Sequence, residues 1–165
     1  MTQVLDLPAT ATAVSFTARP LAADFARRVR AGGPDDFGRP GRHLISQGGE
    51  PVRDQLRRVG AGERLILCSY HAVPLPGIFA ETGPVYISAE EPAPRVWRDE
   101  LPPGYFNRTF ALRAYNRADE IIESTLVEPD AAPEKIRAWL ARPEVAYLHA
   151  RFAGHGCYAC RFDRA

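Results

Sequence analysis

Lysine is almost missing from this sequence: Lys135 is the only one, so nearly all of the 21 basic residues are arginines. A surplus of either sign is missing too. Twenty acidic residues leave a net charge of +1, which argues against wholesale attraction to nucleic acid or to an anionic membrane surface. No apolar run approaches the roughly 18 residues of a membrane span. Residues 1–8 lack the basic-then-apolar order of a signal peptide. Cysteine is scarce, and Cys68, Cys157 and Cys160 are too few and too odd in number for a disulfide scaffold. These absences make the cytoplasm the expected compartment. Catalytic signatures are missing as well: there is no P-loop, no G-x-G-x-x-G, no G-x-S-x-G and no H-E-x-x-H. No cofactor is therefore expected, and aromatic residues do not interleave with basic ones as in single-strand RNA binders.

What is present is an ordinary globular composition, 45% hydrophobic and 25% charged, over 165 residues, enough for one domain with its own core. The expected class is α+β: a mostly antiparallel sheet with two to three short helices, ending in a C-terminal β-hairpin. Residues 11–17 (ATAVSFT) alternate as a strand does. Leu21, Phe25 and Val29 share one face of a helix that follows Pro20 and stops at Gly32-Gly33, with Arg27, Arg28 and Arg30 late in it, where cations suit the helix dipole. Val52, Leu56 and Val59 predict a second short helix. Residues 65–70 (LILCSY) are apolar on both faces and read as a central strand. A proline-interrupted loop over 71–84 is longer than packing needs. Strands follow at 84–89, 109–115 and 120–127, and Pro133 opens a helix that buries Ile136, Trp139 and Leu140.

The last 20 residues say most. A three-residue loop, Gly154-His155-Gly156, would pair Phe152 with Tyr158, Ala150 with Cys160 and Leu148 with Phe162, an all-apolar core face. Tyr147, His149, Arg151, Cys157, Arg161 and Asp163 would then share the opposite face. Cys157 and Cys160 match C-x-x-C, but positions i and i+3 of a strand point to opposite faces, so the pair cannot hold one metal, and no second motif completes a zinc site. No metal ligands are assigned. Cys157 near Arg151, Arg161 and His149 has the surroundings that activate a thiol. Cys157, His149 and Asp163 have the chemical types of nucleophile, base and orienter, although the ladder separates Cys157 from His149. Arg113 and Tyr115 share a strand face. If that strand neighbours the hairpin, Arg113, Tyr115, Arg151, Arg161 and His149, with Tyr70, build a surface for an anion, because guanidinium groups grip carboxylates and phosphates bidentately. An arginine excess alongside Ala, Gly and Pro is also what a GC-rich genome writes by default.

Three stretches carry a family resemblance: residues 51–70 (PVRDQLRRVGAGERLILCSY), 80–88 (AETGPVYIS) and 143–165 (PEVAYLHARFAGHGCYACRFDRA). With 112–115 (LRAY) they make the chain resemble the bacterial domain-of-unknown-function family 1203. The resemblance spans most of residues 42–165 and implies a compact domain and a bacterial source, but no activity. It also implies a cysteine after the proline that here precedes Val52, so a site built on that thiol does not carry over. Arg53, Tyr70, Glu81, Arg113, Tyr115, Tyr147, Cys157, Tyr158, Arg161 and Asp163 fit the family pattern, and several coincide with the polar hairpin face.

Three functions remain open on the sequence. One is binding of a small anionic or polar ligand by the Arg/His/Tyr face beneath the 71–84 loop. The second is an enzyme with Cys157 as nucleophile or redox centre. The third is a protein–protein interaction module, with a homodimer among the options.

Overall fold

The computed structural model describes residues 14–93 and 95–165. Strand β1 (Phe16–Arg19) leads into helix α1 (Ala23–Arg30), which buries Phe25, Ala26 and Val29 as the four-residue spacing requires. Residues 11–13 of the expected first strand lie outside the described residues. After β2 (Arg42–Ile45) come β3 (Pro51–Val52), β4 (Arg57–Arg58), β5 (Arg64–Val73) and β6 (Glu81–Ser88). Strand β7 (Trp97–Arg98) precedes β8 (Phe110–Tyr115) and β9 (Ile121–Val127). A 3-10 turn, Pro129–Ala131, opens into helix α2 (Ala132–Leu140), and β10 (Tyr147–Phe152) and β11 (Tyr158–Arg164) close the chain.

The strands form two sheets, in the orders β7-β1-β11-β10-β8-β9 and β2-β5-β6-β3-β4. The class is α+β and the pairing is mostly antiparallel, but β3 runs parallel to β6 through Val52 and Tyr86, so the second sheet is mixed. Helix α2 covers one face of the first sheet, where Leu112, Leu148, Ala150, Cys160, Phe162 and Ile136 make the main core. The other face turns toward the second sheet. Between them lies a second core of α1 residues with Ile66, Cys68, Val85, Ile87 and Tyr158. The polar hairpin face is therefore not a solvated surface.

Three expectations change. The 51–59 segment is a β-hairpin, not a helix. Leu56 has φ of 50°, outside the helical region, and Val52, Leu56 and Val59 reach the interior from a strand, a turn and the residue after a strand. The loop between β5 and β6 is shorter than 71–84, because both strands extend into it and leave only 74–80. In the closing hairpin, Leu148 opposes Phe162 and Ala150 opposes Cys160 as expected, but Tyr158 opposes Arg151 rather than Phe152. Ala159 is the extra residue of a β-bulge. It moves Tyr158 to the His149 face, against Tyr70, at 5.6 Å between ring centroids.

Candidate functional site

Strands β8, β10 and β11 place most of the sequence-derived residues on one face. Arg113 lies opposite His149, Tyr115 opposite Tyr147, and His149 opposite Arg161. Strand β8 is thus the neighbour of the closing hairpin. His149 is only 1% exposed, and its ring packs against Tyr115, Tyr147 and Tyr158 at centroid distances of 4.8 to 5.1 Å. Burial, with Arg151, Arg161 and Arg113 adding to it, pulls its pKa down to about 3. The imidazole is therefore neutral at ordinary pH. Its Nδ1 has no hydrogen-bond partner among the described residues, and neither do Tyr115 Oη and Arg151 Nε. Three buried polar atoms on one sheet face without a protein partner are uncommon.

Each arginine of this face is anchored differently. Arg151, 2% exposed, donates through Nη1 to the Gly156 carbonyl at 2.8 Å and through Nη2 to Glu81. Arg113 reaches the same Glu81 carboxylate at 3.3 Å. Glu81 on β6 thereby ties the two sheets together. Arg161 lies 3.9 Å from the centre of the Tyr147 ring and donates to both oxygens of Asp163 at 2.9 Å. Asp163 also accepts from Arg19 at 3.1 Å. Its oxygens serve two arginines, and no hydrogen bond joins it to His149.

Above His149, Tyr158, Tyr70 and Arg161 opens a cavity of about 1000 Å³. Its other walls come from β1 and α1, from the 54–57 turn and from the 91–98 segment. Loop 74–80 contributes nothing to it. Seven arginines line the cavity: Arg19, Arg27, Arg30, Arg57, Arg95, Arg98 and Arg161. Among the described residues Asp54 and Glu91 are the carboxylates in its wall, while Asp24 and Asp163 outside it pair with Arg27 and with Arg19 and Arg161. Asp54 pairs with Arg30 and accepts from the Ser88 amide, yet burial still raises its carboxyl above the usual value. Arg57 is held by Glu63, which lies outside the wall, and Arg57 together with the Gly60 amide lowers the Glu63 pKa to about 2. Arg95 and Arg98 have no carboxylate within 4.0 Å among the described residues. The cavity is a cation-rich space with a neutral imidazole in its wall.

Of the sequence-derived residues, His149, Arg161 and Tyr70 line this cavity. Arg113 and Arg151 stand behind it on Glu81, and Tyr115 is fully buried in the aromatic stack with Tyr147. Cys157 is elsewhere. It precedes β11, lines a different cavity, and its sulfur lies 3.9 Å from the His155 carbonyl. The structure does not bring Cys157, His149 and Asp163 together as a set, because the bulge ends the ladder before Cys157. Sequence reasoning missed the other six arginines of the cavity. They come from β1, α1, the 54–57 turn and the 91–98 segment, four stretches with no shared period, and only the tertiary fold gathers them.

Among the described residues no group of His, Cys, Asp and Glu is arranged to hold a metal ion, and no helix is long and apolar enough to cross a membrane. No curated protein and no solved structure matches the chain. The family model described as Protein of unknown function (DUF1203) matches residues 49–164, which takes in everything from β3 to β11, and the chain belongs to that family.

Proposed function

We propose that the protein binds a small anionic ligand in the arginine-lined cavity, with Arg161, Arg98 and Arg95 meeting its charge and His149 meeting a polar group at the cavity wall. The observation that carries this reading is the wall itself: a buried, neutral His149 set among seven arginines, of which Arg95 and Arg98 have no carboxylate within 4.0 Å among the described residues. A neutral imidazole can donate or accept, so it suits a hydroxyl, an ester oxygen or a protonated phosphate as well as an anion. Its size fits too, since pockets for small ligands run to about 300–1,000 Å³. The molecule as a whole carries only +1, so seven arginines around one space are a local concentration, not a reflection of overall charge.

Thermal-shift assays with inorganic phosphate, pyrophosphate and citrate, at constant ionic strength, test the reading. A ligand at a hundred times its Kd adds about 2.7 kcal/mol, which for a chain of this size is roughly a 5–10 °C rise in Tm. The expected result is a saturable rise with at least one of these anions, lost in Arg161→Gln and weakened in Arg98→Gln. No rise with any of them, or equal rises in wild type and both variants, would contradict it.

A further inference from the structure

Cys157 lies in a second cavity, of about 510 Å³, where the 153–157 loop meets β3, β4 and β6. None of its lining residues is shared with the first cavity. Arg53 in its wall is only 3% exposed. The Arg53 Nε donates to the Tyr158 carbonyl at 2.9 Å and Nη1 to the Pro51 carbonyl. Arg58 is held in the same way, by the carbonyls of Tyr105 and Gly49 at 3.1 and 2.7 Å. Both guanidinium groups sit over the Phe152 ring, at 5.2 and 5.3 Å from its centre. Arg108 completes the wall. Among the described residues, none of the three has a carboxylate within 4.0 Å.

Carbonyls and a ring face only partly offset the cost of burying a cation, and a buried charge ordinarily has a counter-ion. Burial pulls the Arg58 pKa below the ordinary arginine value, and the neighbouring Arg108 and Arg53 charges act in the same direction. The rest of the wall is mostly apolar, with Phe152, Tyr86, Leu67, Pro51 and Pro84 in it, and Thr109 and His155 are its polar members beside Cys157. Three guanidinium groups without an internal anion, beside an apolar wall, call for an external anion with an apolar body.

We propose that this cavity is a second anion site, for a small organic acid whose carboxylate or phosphate meets Arg53, Arg58 and Arg108 and whose apolar part lies on Phe152 and Tyr86, with the Cys157 thiol beside it. The site stands apart from the first, so either can fail without the other. Cys157 also supplies the readout, because Cys68 and Cys160 are buried and their thiols are pushed up by that burial, Cys68 to about 12.

The experiment is alkylation of the native protein with iodoacetate and, separately, iodoacetamide at one pH and ionic strength, with Cys157 followed by peptide mass spectrometry. In each reaction the sulfur forms a bond to the reagent carbon, iodide leaves, and the thiol proton passes to solvent. Both reagents need the same thiolate, so the ratio of their rates cancels the thiol pKa and reports the local excess of anion. That ratio at Cys157 is expected to exceed the ratio for 2-mercaptoethanol by about tenfold, and to fall toward it in Arg58→Gln and Arg108→Gln. Among the described residues Arg108 makes no side-chain hydrogen bond, and it is exposed, so its variant keeps the test valid if Arg58→Gln does not fold. Phenyl phosphate is expected to slow iodoacetamide labelling saturably. A ratio equal to that of the free thiol, a ratio unchanged in Arg108→Gln, no protection by phenyl phosphate, or no labelling of Cys157 by either reagent would each overturn the proposal.

Discussion

His149 shows how far one residue's environment departs from what its letter suggests. On the sequence it is a strand histidine on a polar face. In the fold that face is the seam between two sheets, and burial beside Arg151, Arg161 and Arg113 holds the imidazole neutral down to about pH 3. The unfolded chain protonates it near 6.5, so between these values the unfolded state binds a proton that the folded state does not. Stability therefore falls as pH drops through that window, by about 1.4 kcal/mol per pH unit for this group. A His149→Gln variant is expected to have a shallower slope of unfolding free energy against pH between 6 and 4 than the wild type, by roughly that amount. Urea denaturation at several pH values measures it, and parallel slopes would show that His149 titrates normally. The residue types of the candidate site were readable from the sequence for His149, Arg161 and Tyr70. The role of Cys157 was not, because a single bulge residue decides which cavity it lines.

At the scale of elements, strands with one apolar face were legible and segments decided by turn geometry were not. Strand β5 announces itself by a run with no polar face, and β10 by alternation on either side of Leu148 and Ala150. The 51–59 segment has helical spacing, yet Pro51 and Val52 pair with neighbouring strands and Leu56 takes a left-handed turn position. Apolar spacing alone does not separate these outcomes, since a tight hairpin also buries residues three and four apart. The bulge at Ala159 is equally silent in the sequence. The link between the sheets is a second feature that only the fold discloses. Glu81 of β6 is the carboxylate for both Arg113 and the buried Arg151 of the other sheet. Removing its charge leaves Arg151 buried without a counter-ion, which costs on the order of 3 kcal/mol. Glu81→Gln is expected to lose about that much in chemical denaturation, and adding Arg151→Met is expected to restore most of it. A Glu81→Gln loss that the second substitution deepens would mean that the pair does not act as a unit.

At the scale of the whole molecule, the balanced net charge conceals an uneven distribution. Arginines are gathered into two cavities that both include residues of the closing hairpin, one lined by His149 and one by Cys157, with Tyr158 in the first wall and its backbone carbonyl bonded to Arg53 of the second. The α+β class, the C-terminal hairpin and the family were legible because they depend on local pattern and contiguous motifs. The cavities were not, because their arginines meet only through contacts distant in the chain. The most direct test of the ligand reading is the imidazole ¹⁵N spectrum of His149, followed as phosphate, pyrophosphate or citrate is added in turn at constant ionic strength. The account predicts a neutral ring throughout the accessible pH range and a saturable shift of its ¹⁵N resonances with at least one of these anions, absent in Arg161→Gln. Ring ¹⁵N resonances unmoved by all three anions, or a ring that titrates near pH 6.5, would contradict it.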